Sequence, residues 1–393
     1  MIPENRSLSF RAAILSLSLL TIMSGAGVAP GVYKIAEAFP ETPVTIIKLI
    51  VSLPPLLMII SALLSGFLGQ FIKHKTLIVT GLILFVIGGV GTGYMQTIPL
   101  ILLFRGILGF GTGMILPFST GLIAACFDGK EKVKMMGYSS ASNCLGAMVG
   151  NTLAGILAII SWRYMFQIYW LGGLVLFLVI LFLKDLPEGK TQIIKEKLPG
   201  IVFLYGFYAF LTMMIFFLIV TNLSFIINLK KLGSTSITGY LFALNAFTML
   251  LAGILLPKLL RLKNYLLPII IGLIAFGIFG MAESETLLPM ILSVLAAGFG
   301  LGTLFPYLLN TASQSISKSL SVKAMSIAMA FAWLGQFVSP LFFGGMASLI
   351  KLEMLTVFRI VSGITLTVAA VIFILTLIHG KSLKQSSLKK ITI

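Results

Sequence analysis

Apolar residues run through this chain in stretches of roughly 18 to 30, broken by short polar or charged intervals, instead of alternating every second or every third to fourth position. A segment of about 20 apolar residues spans a bilayer as a helix, with its backbone hydrogen bonds satisfied internally. Twelve such segments are predicted, over 10–32, 44–69, 76–95, 98–126, 135–160, 164–183, 199–228, 236–258, 265–282, 286–311, 322–349 and 354–378. The fold class expected is therefore an all-α membrane protein of twelve transmembrane helices.

Composition agrees with the pattern: 58% of the 393 residues are hydrophobic and 10% are charged. The net charge of +17 would suit a nucleic-acid binder on a soluble domain, but the pattern leaves no such domain to present it, so no nucleic-acid partner is expected. Its placement is more informative. With the N-terminus inside, the inner loops and tails hold 20 of the 28 lysines and arginines, among them Arg6, Arg11, Lys73, Lys75, Lys130, Lys132, Lys134, Lys184, Lys258, Lys381 and Lys390. Lys34, Lys48, Arg163, Lys230, Lys231, Lys351 and Arg359 fall outside or at outer helix ends. This bias places both termini in the cytoplasm of a multi-pass cell-membrane protein. The first apolar segment follows Arg6 and Arg11 as a signal sequence would, but its length and the want of an A-x-A site make it a retained helix. Cys126 and Cys144, the two cysteines, have no metal-ligand spacing and read as packing residues; no metal or other cofactor is expected.

The longest mid-chain interval without an apolar span, 184–198, divides the helices six and six. The domains expected are a bundle over 1–183, a cytoplasmic loop over 184–198, a second bundle over 199–378 and a basic tail over 379–393. A duplication would show as residues matching at a constant offset. Gly109-Phe110-Gly111-Thr112-Gly113 with Pro117 is matched 189 residues on by Gly298-Phe299-Gly300-Leu301-Gly302 with Pro306. The same offset carries Gly146 onto Gly335, Asn151 onto Pro340 and Gly155 onto Gly344. Two such bundles place a substrate site between them near the midplane, where rocking exposes it to alternate sides.

Arg105 sits within the fourth span, where an arginine costs at least about 2.5 kcal/mol and so requires a cavity or polar partners. One reading is a fixed charge in the path; the other is a guanidinium that binds carbonyls of adjacent helices. Asn143 and Asn151 on the fifth span, Asn245 on the eighth and Gln336 on the eleventh join it as candidate cavity groups. Gly109 with Gly113, and Gly146 with Gly150, are four apart and form small faces for close helix packing. Trp162 and Arg163 read as an outer-surface anchor.

These residues resemble the major facilitator superfamily over nearly the whole chain. The run from Arg105 to Gly113 is similar to that family's fourth-helix motif, and Trp162-Arg163-x-x-Phe166 to its start of helix six. Gly137, Gly146, Gly150 and Gly155 resemble the fifth-helix exporter pattern G-x8-G-x3-G-P-x2-G-G, with Asn151 in place of the proline and Ala154 in place of a glycine. In the matching helix of the second half, Pro340 keeps the proline. The loop Gly66-Phe67-Leu68-Gly69-Gln70-Phe71-Ile72-Lys73-His74-Lys75 resembles the family's G-x-L-a-D-r-x-G-r-k signature, with Gln70 for the aspartate that takes part in a charged latch.

The resemblance implies two pseudo-symmetric six-helix bundles and a secondary active transporter of small organic compounds, working by alternating access in the direction of efflux and coupled to protons. The eleven carboxylates all fall in loops or near helix ends, leaving Glu37 as the candidate coupling group. A nutrient importer or uniporter for a sugar or organic anion is the alternative. A membrane scaffold or sensor would need an output domain, which the spans leave no room for. No nucleotide-binding signature or catalytic grouping is present, so neither ATP-driven transport nor an enzyme is expected. The partners expected are a small-molecule substrate and the lipid around a monomer.

Overall fold

The computed structural model describes residues 8–183, 199–314 and 318–389. The expected cytoplasmic loop 184–198 and the last four residues of the expected tail lie outside the described residues. The helices are α1 (Leu8–Ala26), α2 (Val32–Ala38), α3 (Val44–Leu68), α4 (His74–Thr92), α5 (Ile98–Cys126), α6 (Gly129–Ile160) and α7 (Leu171–Phe182), followed by α8 (Gly200–Leu229), α9 (Thr235–Leu259), α10 (Leu266–Glu283), α11 (Leu287–Gln314), α12 (Lys318–Leu349) and α13 (Met354–Lys389).

Ten helical stretches are long and apolar enough to cross a membrane, and a bent pair, Leu8–Thr21 with Met23–Ala38, makes one more. The longest stretch, Thr235–Glu283, is itself two traverses, because Lys263 breaks it with φ 49° and ψ −122°. The described residues thus make twelve traverses. Span ends agree with the apolar pattern to within a few residues except at three places, one of them the start of α6 at Gly129, six residues ahead of the expected 135. The first traverse bends by 51° and continues through α2, and α13 runs on as helix to Lys389, past the boundary expected at 378. Prolines 54, 55, 117, 257, 306 and 340 lie inside helices, where packing against neighbours makes up for the lost N–H groups. Gly129, at φ 52°, makes the tight turn from α5 into α6 that a residue with a Cβ would resist.

Within α1–α7, α5 packs on α3 and α4, and α1 on α6; within α8–α13, α11 packs on α9 and α10, and α8 on α12. The two sets meet through α6 against α9 and α3 against α12, each contact the counterpart of the other. The glycines repeat this down to single residues. A Cβ on Gly146 would overlap the backbone of Leu19 in α1, and one on Gly335 the backbone of Phe210 in α8. Gly113 lies on Met58 of α3, and Gly302 on Met249 of α9. Without a Cβ, two helices whose lipid-facing sides are already apolar come near enough for dispersion to hold them.

Two faces of the bundle can be told apart. The terminal face carries the start of α1, the end of α7 and the start of α8; the far face carries α2 and the opposite helix ends. At the far face Arg163 stacks on the Trp162 ring at 4.4 Å and donates to the carbonyls of Gly93 and Met95 at 3.1 and 2.7 Å, tying the end of α6 to that of α4.

Candidate translocation site

Arg105 is fully enclosed, with 0% of its surface exposed. Its Nε donates to the Ile50 carbonyl at 2.5 Å, one terminal nitrogen to the Tyr169 hydroxyl at 2.7 Å, and the other to the carbonyls of Ser24 and Gly25 at 2.7 and 3.2 Å. The bend after α1 turns those carbonyls away from their helix, and a forked donor set is suited to collecting them. Tyr169 passes its own hydroxyl hydrogen toward Met23, whose carbonyl is 3.2 Å away. Arg105 therefore lines no cavity in this structure. From α5 it ties the bent first traverse to α3 and the turn before α7, the arrangement described by the second of the two readings given above.

Asn143 and Gln336 are the candidates that remain partly exposed; they lie on the matching helices α6 and α12, though the offset of 189 carries Asn143 onto Ala332. Asn143 on α6 accepts a hydrogen bond from Thr21 of α1, and Gln336 on α12 lies with its amide nitrogen 3.6 Å from the Met213 sulfur of α8. Each stands beside the glycine, Gly146 or Gly335, that seats its helix on α1 or α8. Asn245 is buried and donates to the Val294 carbonyl at 3.2 Å, so it joins α9 to α11 inside one set. Asn151 is 4% exposed, its backbone carbonyl facing Gly239 where α6 crosses α9, and its side-chain oxygen has no partner. Gly155 meets Thr235 and Gly239 in the same crossing, while Gly344 meets Thr45 where α12 crosses α3. Gly150 packs on Met23, and Gly109 on the backbone of Pro54. Pro340 lies within α12 beside Ser339, which bonds the Met214 carbonyl at 2.8 Å.

The two sets are joined at the far face. Far-face contacts include Lys48 to Asn222 at 2.7 Å, Ser224 to the Pro30 carbonyl at 2.8 Å, and the edge-on rings of Tyr33 and Phe225 at 5.5 Å. A cavity of about 230 Å³ remains between them, lined by Tyr33, Lys34, Ile159, Ser224, Asn228 and Thr235 among others. Along α8, Val220, Leu223 and Ile226 toward this face are wholly buried, whereas Phe203, Phe207 and Tyr208 toward the other are 42% to 49% exposed. Leu63 and Phe67 of α3 are likewise open, and a Cβ on Gly66, Gly137 or Gly253 would touch nothing within 4 Å. The far-face ends of α3 and α8 are thus the packed ones, and their ends toward the terminal face are the exposed ones.

Residues 14–340 match the family model of the Major Facilitator Superfamily. The chain belongs to that superfamily. Among curated relatives, the chain is 33% identical over 129 residues to Multidrug resistance protein 3 of Bacillus subtilis, covering 32% of this chain and 25% of that protein. It is 29% identical over 158 residues to the quinolone resistance protein NorA of Staphylococcus aureus, covering 40% and 41%. The chain thus spans well under half the length of either. Solved structures similar in fold include a D-xylose-proton symporter (TM-score 0.72, 18% identity, 93% of this chain and 96% of that one) and the inward-open xylose transporter XylE of E. coli (0.73, 17%, 93% and 95%).

Other residues picked out by the superfamily patterns have plain surroundings. Gln70, at the aspartate position of the loop signature, is exposed, and Gly69 lies against the His74 ring, itself 5.2 Å from that of Phe118. Lys73 caps the start of α4, and Lys75 donates to the Ile180 carbonyl at 2.9 Å, joining α4 to α7. Glu37 is exposed and paired with Lys34 at 2.7 Å on α2, a poor setting for a group that must be desolvated to hold a proton. Cys126 is buried and Cys144 partly so, and neither is in a disulfide.

Sequence reasoning passed over Lys48, Ser52, Tyr169 and Asn222. Lys48 lies near the far-face end of α3, as its place in the chain suggested, but it is buried there, 8% exposed, with its ammonium 5.2 Å from the α8 ring of Phe225. Its signal was its position four residues inside an apolar span, the same signal that picked out Arg105.

Proposed function

We propose that this protein is a secondary transporter that moves small organic compounds out of the cell by alternating access, and that the structure is its inward-facing state. The observation that carries the reading is that α3 and α8 are buried toward the far face and exposed toward the terminal face, in helix sets that repeat one another, which we read as a cleft closed outside and open inside. With the positive charges clustered at the terminal face, both termini and the open mouth lie in the cytoplasm of a cell-membrane protein, and the far face is outer. The bundles extend over 1–183 and 199–378, with 184–198 as the linking loop and 379–393 as the basic end. The rocking surfaces are the glycine-bearing crossings of α6 on α9 and α3 on α12. Asn143 and Gln336 bear on the substrate together with the Phe and Met side chains around them, soft surfaces that fit varied apolar shapes. Export is supported by the names of the curated relatives, a multidrug and a quinolone resistance protein. A solute gradient supplies the energy, and the protein acts as a monomer.

A lock on the far face tests the mechanism. Thr45 and Gly344 face each other there, with a Cβ on Gly344 lying 3.4 Å from that of Thr45, close to the separation in a disulfide. In a protein with Cys126 and Cys144 replaced, Thr45→Cys with Gly344→Cys is expected to oxidise readily, to stop quinolone efflux from intact cells, and to recover on reduction. Efflux that continues with the bridge formed would refute alternating access at this face.

A further inference from the structure

We infer that Lys48, with Ser52 beside it, forms a binding group for the oxyanion of a small organic solute once the far face opens. The inference rests on the alternating-access reading above and adds the charge of the substrate to it.

Among the described side chains, Lys48 and Arg105 are the charged ones that are buried, and none of the described carboxylates is. Arg105 has its hydrogen bonds to Ser24, Gly25, Ile50 and Tyr169, all in α1–α7 or the turns between them, so parting the two sets leaves it unchanged. Lys48 is held in the opposite way. Its ammonium donates to the Asn222 side-chain oxygen at 2.7 Å and lies 5.2 Å from the centre of the Phe225 ring, and both belong to α8 across the seam. Among the described residues no ion pair includes it.

Opening the far face withdraws both partners together. An ammonium brought out of a bilayer-depth site cannot be left bare, so it must meet water or an acceptor supplied by solute. Ser52 lies one helical turn further along α3, on the same side as Lys48 since residues four apart share a face. Its hydroxyl is fully buried and has no hydrogen-bond partner. The seam therefore holds an N–H donor set matched to a single acceptor oxygen and, a turn away, a hydroxyl matched to none. Asn222 presents to Lys48 the kind of neutral oxygen that a carboxylate or sulfonate would replace with a charged one, and charge-assisted hydrogen bonds of that kind are roughly twice as strong. With no buried carboxylate described, a cation arriving at the open cleft meets a like charge without compensation. The discrimination is for anions.

The test uses thiol reagents as charge probes, independent of the substrate's identity. In the protein with Cys126 and Cys144 replaced, Ser52→Cys is reconstituted and exposed from the outer side to the anionic sulfonatoethyl, the cationic trimethylammonioethyl and the uncharged methyl methanethiosulfonates. Rates are taken relative to those with a free thiol in solution. The expected result is a preference of about tenfold for the anionic over the cationic reagent, as one nearby unit charge in a partly hydrated cleft would give. Lys48→Gln is expected to bring the ratio within about twofold of one, and Lys48→Arg to keep it. Brisk reaction with no charge preference, or a preference unchanged in Lys48→Gln, overturns the inference while leaving alternating access in place. A thiol at position 52 inert to all three reagents overturns alternating access, and the inference falls with it.

Discussion

Arg105 and Lys48 are both buried cations in a lipid-facing bundle, and both are held by oxygens instead of carboxylates, yet they sit in opposite relation to the seam. Every bond of Arg105 ends on its own set of helices, on the carbonyls of Ser24, Gly25 and Ile50 and on the Tyr169 hydroxyl. Lys48 reaches across to α8 for both of its contacts. A charge whose partners travel with it is part of a rigid body. A charge whose partners lie on the other body is paired in one state and free in the next, so its energy depends on the state the protein is in. The lesson is that depth in the membrane marks a polar residue as costly, while the side of the seam on which its partners lie decides whether the cost is structural or functional.

The sharpest break of this comparison is Arg105→Ala, which strands three carbonyls and leaves a cavity in the first bundle. Each unsatisfied buried acceptor costs about 1–3 kcal/mol, so a loss of about 4 kcal/mol is expected, read as a large drop in melting temperature in detergent. Arg105→Lys should recover only part of it, because an ammonium cannot reproduce the fork. Gly146→Leu, which drives a side chain into the Leu19 backbone, should cost about 2–3 kcal/mol, and Gly335→Leu a similar amount against Phe210. Unequal losses at this pair would argue that the two seats are not equivalent. Tyr169→Phe removes one hydrogen bond from the Arg105 group and should cost about 1 kcal/mol. Lys48→Met is expected to change stability by less than about 1 kcal/mol, since an apolar chain of similar length replaces a buried charge. Its effect should instead be conformational: spin-label distances across the far face should shorten on average, as the penalty for closing over an ammonium is gone.

Twelve spans, two repeats and the superfamily were all legible in the sequence, because each rests on a property of single segments: apolar length, glycine spacing, or loop charge. The site was legible only in part. Of the four amide candidates, Asn143 and Gln336 stay partly exposed, whereas Asn245 and Asn151, which look the same in the chain, are buried at helix contacts. Arg105 was rightly marked as needing partners, and the choice between cavity and carbonyls could not be read from its own helix, since the deciding carbonyls come from a bend in α1, 80 residues away in the chain. Lys48 was assigned to an outer end because loop-charge counting treats any lysine near a span's start as solvated.

By itself the sequence determined that the bilayer is the solvent of this chain, where its helices run, that it was built by duplication, and where helices can approach closely. Those outcomes follow from burying apolar length and omitting Cβ atoms, which act locally along the chain. The tertiary structure decided which of two buried cations is bolted into one bundle and which bridges two. That depends on which oxygen atoms the fold brings within 3 Å, and a hydrogen bond's short range makes it a property of assembled helices rather than of any one of them.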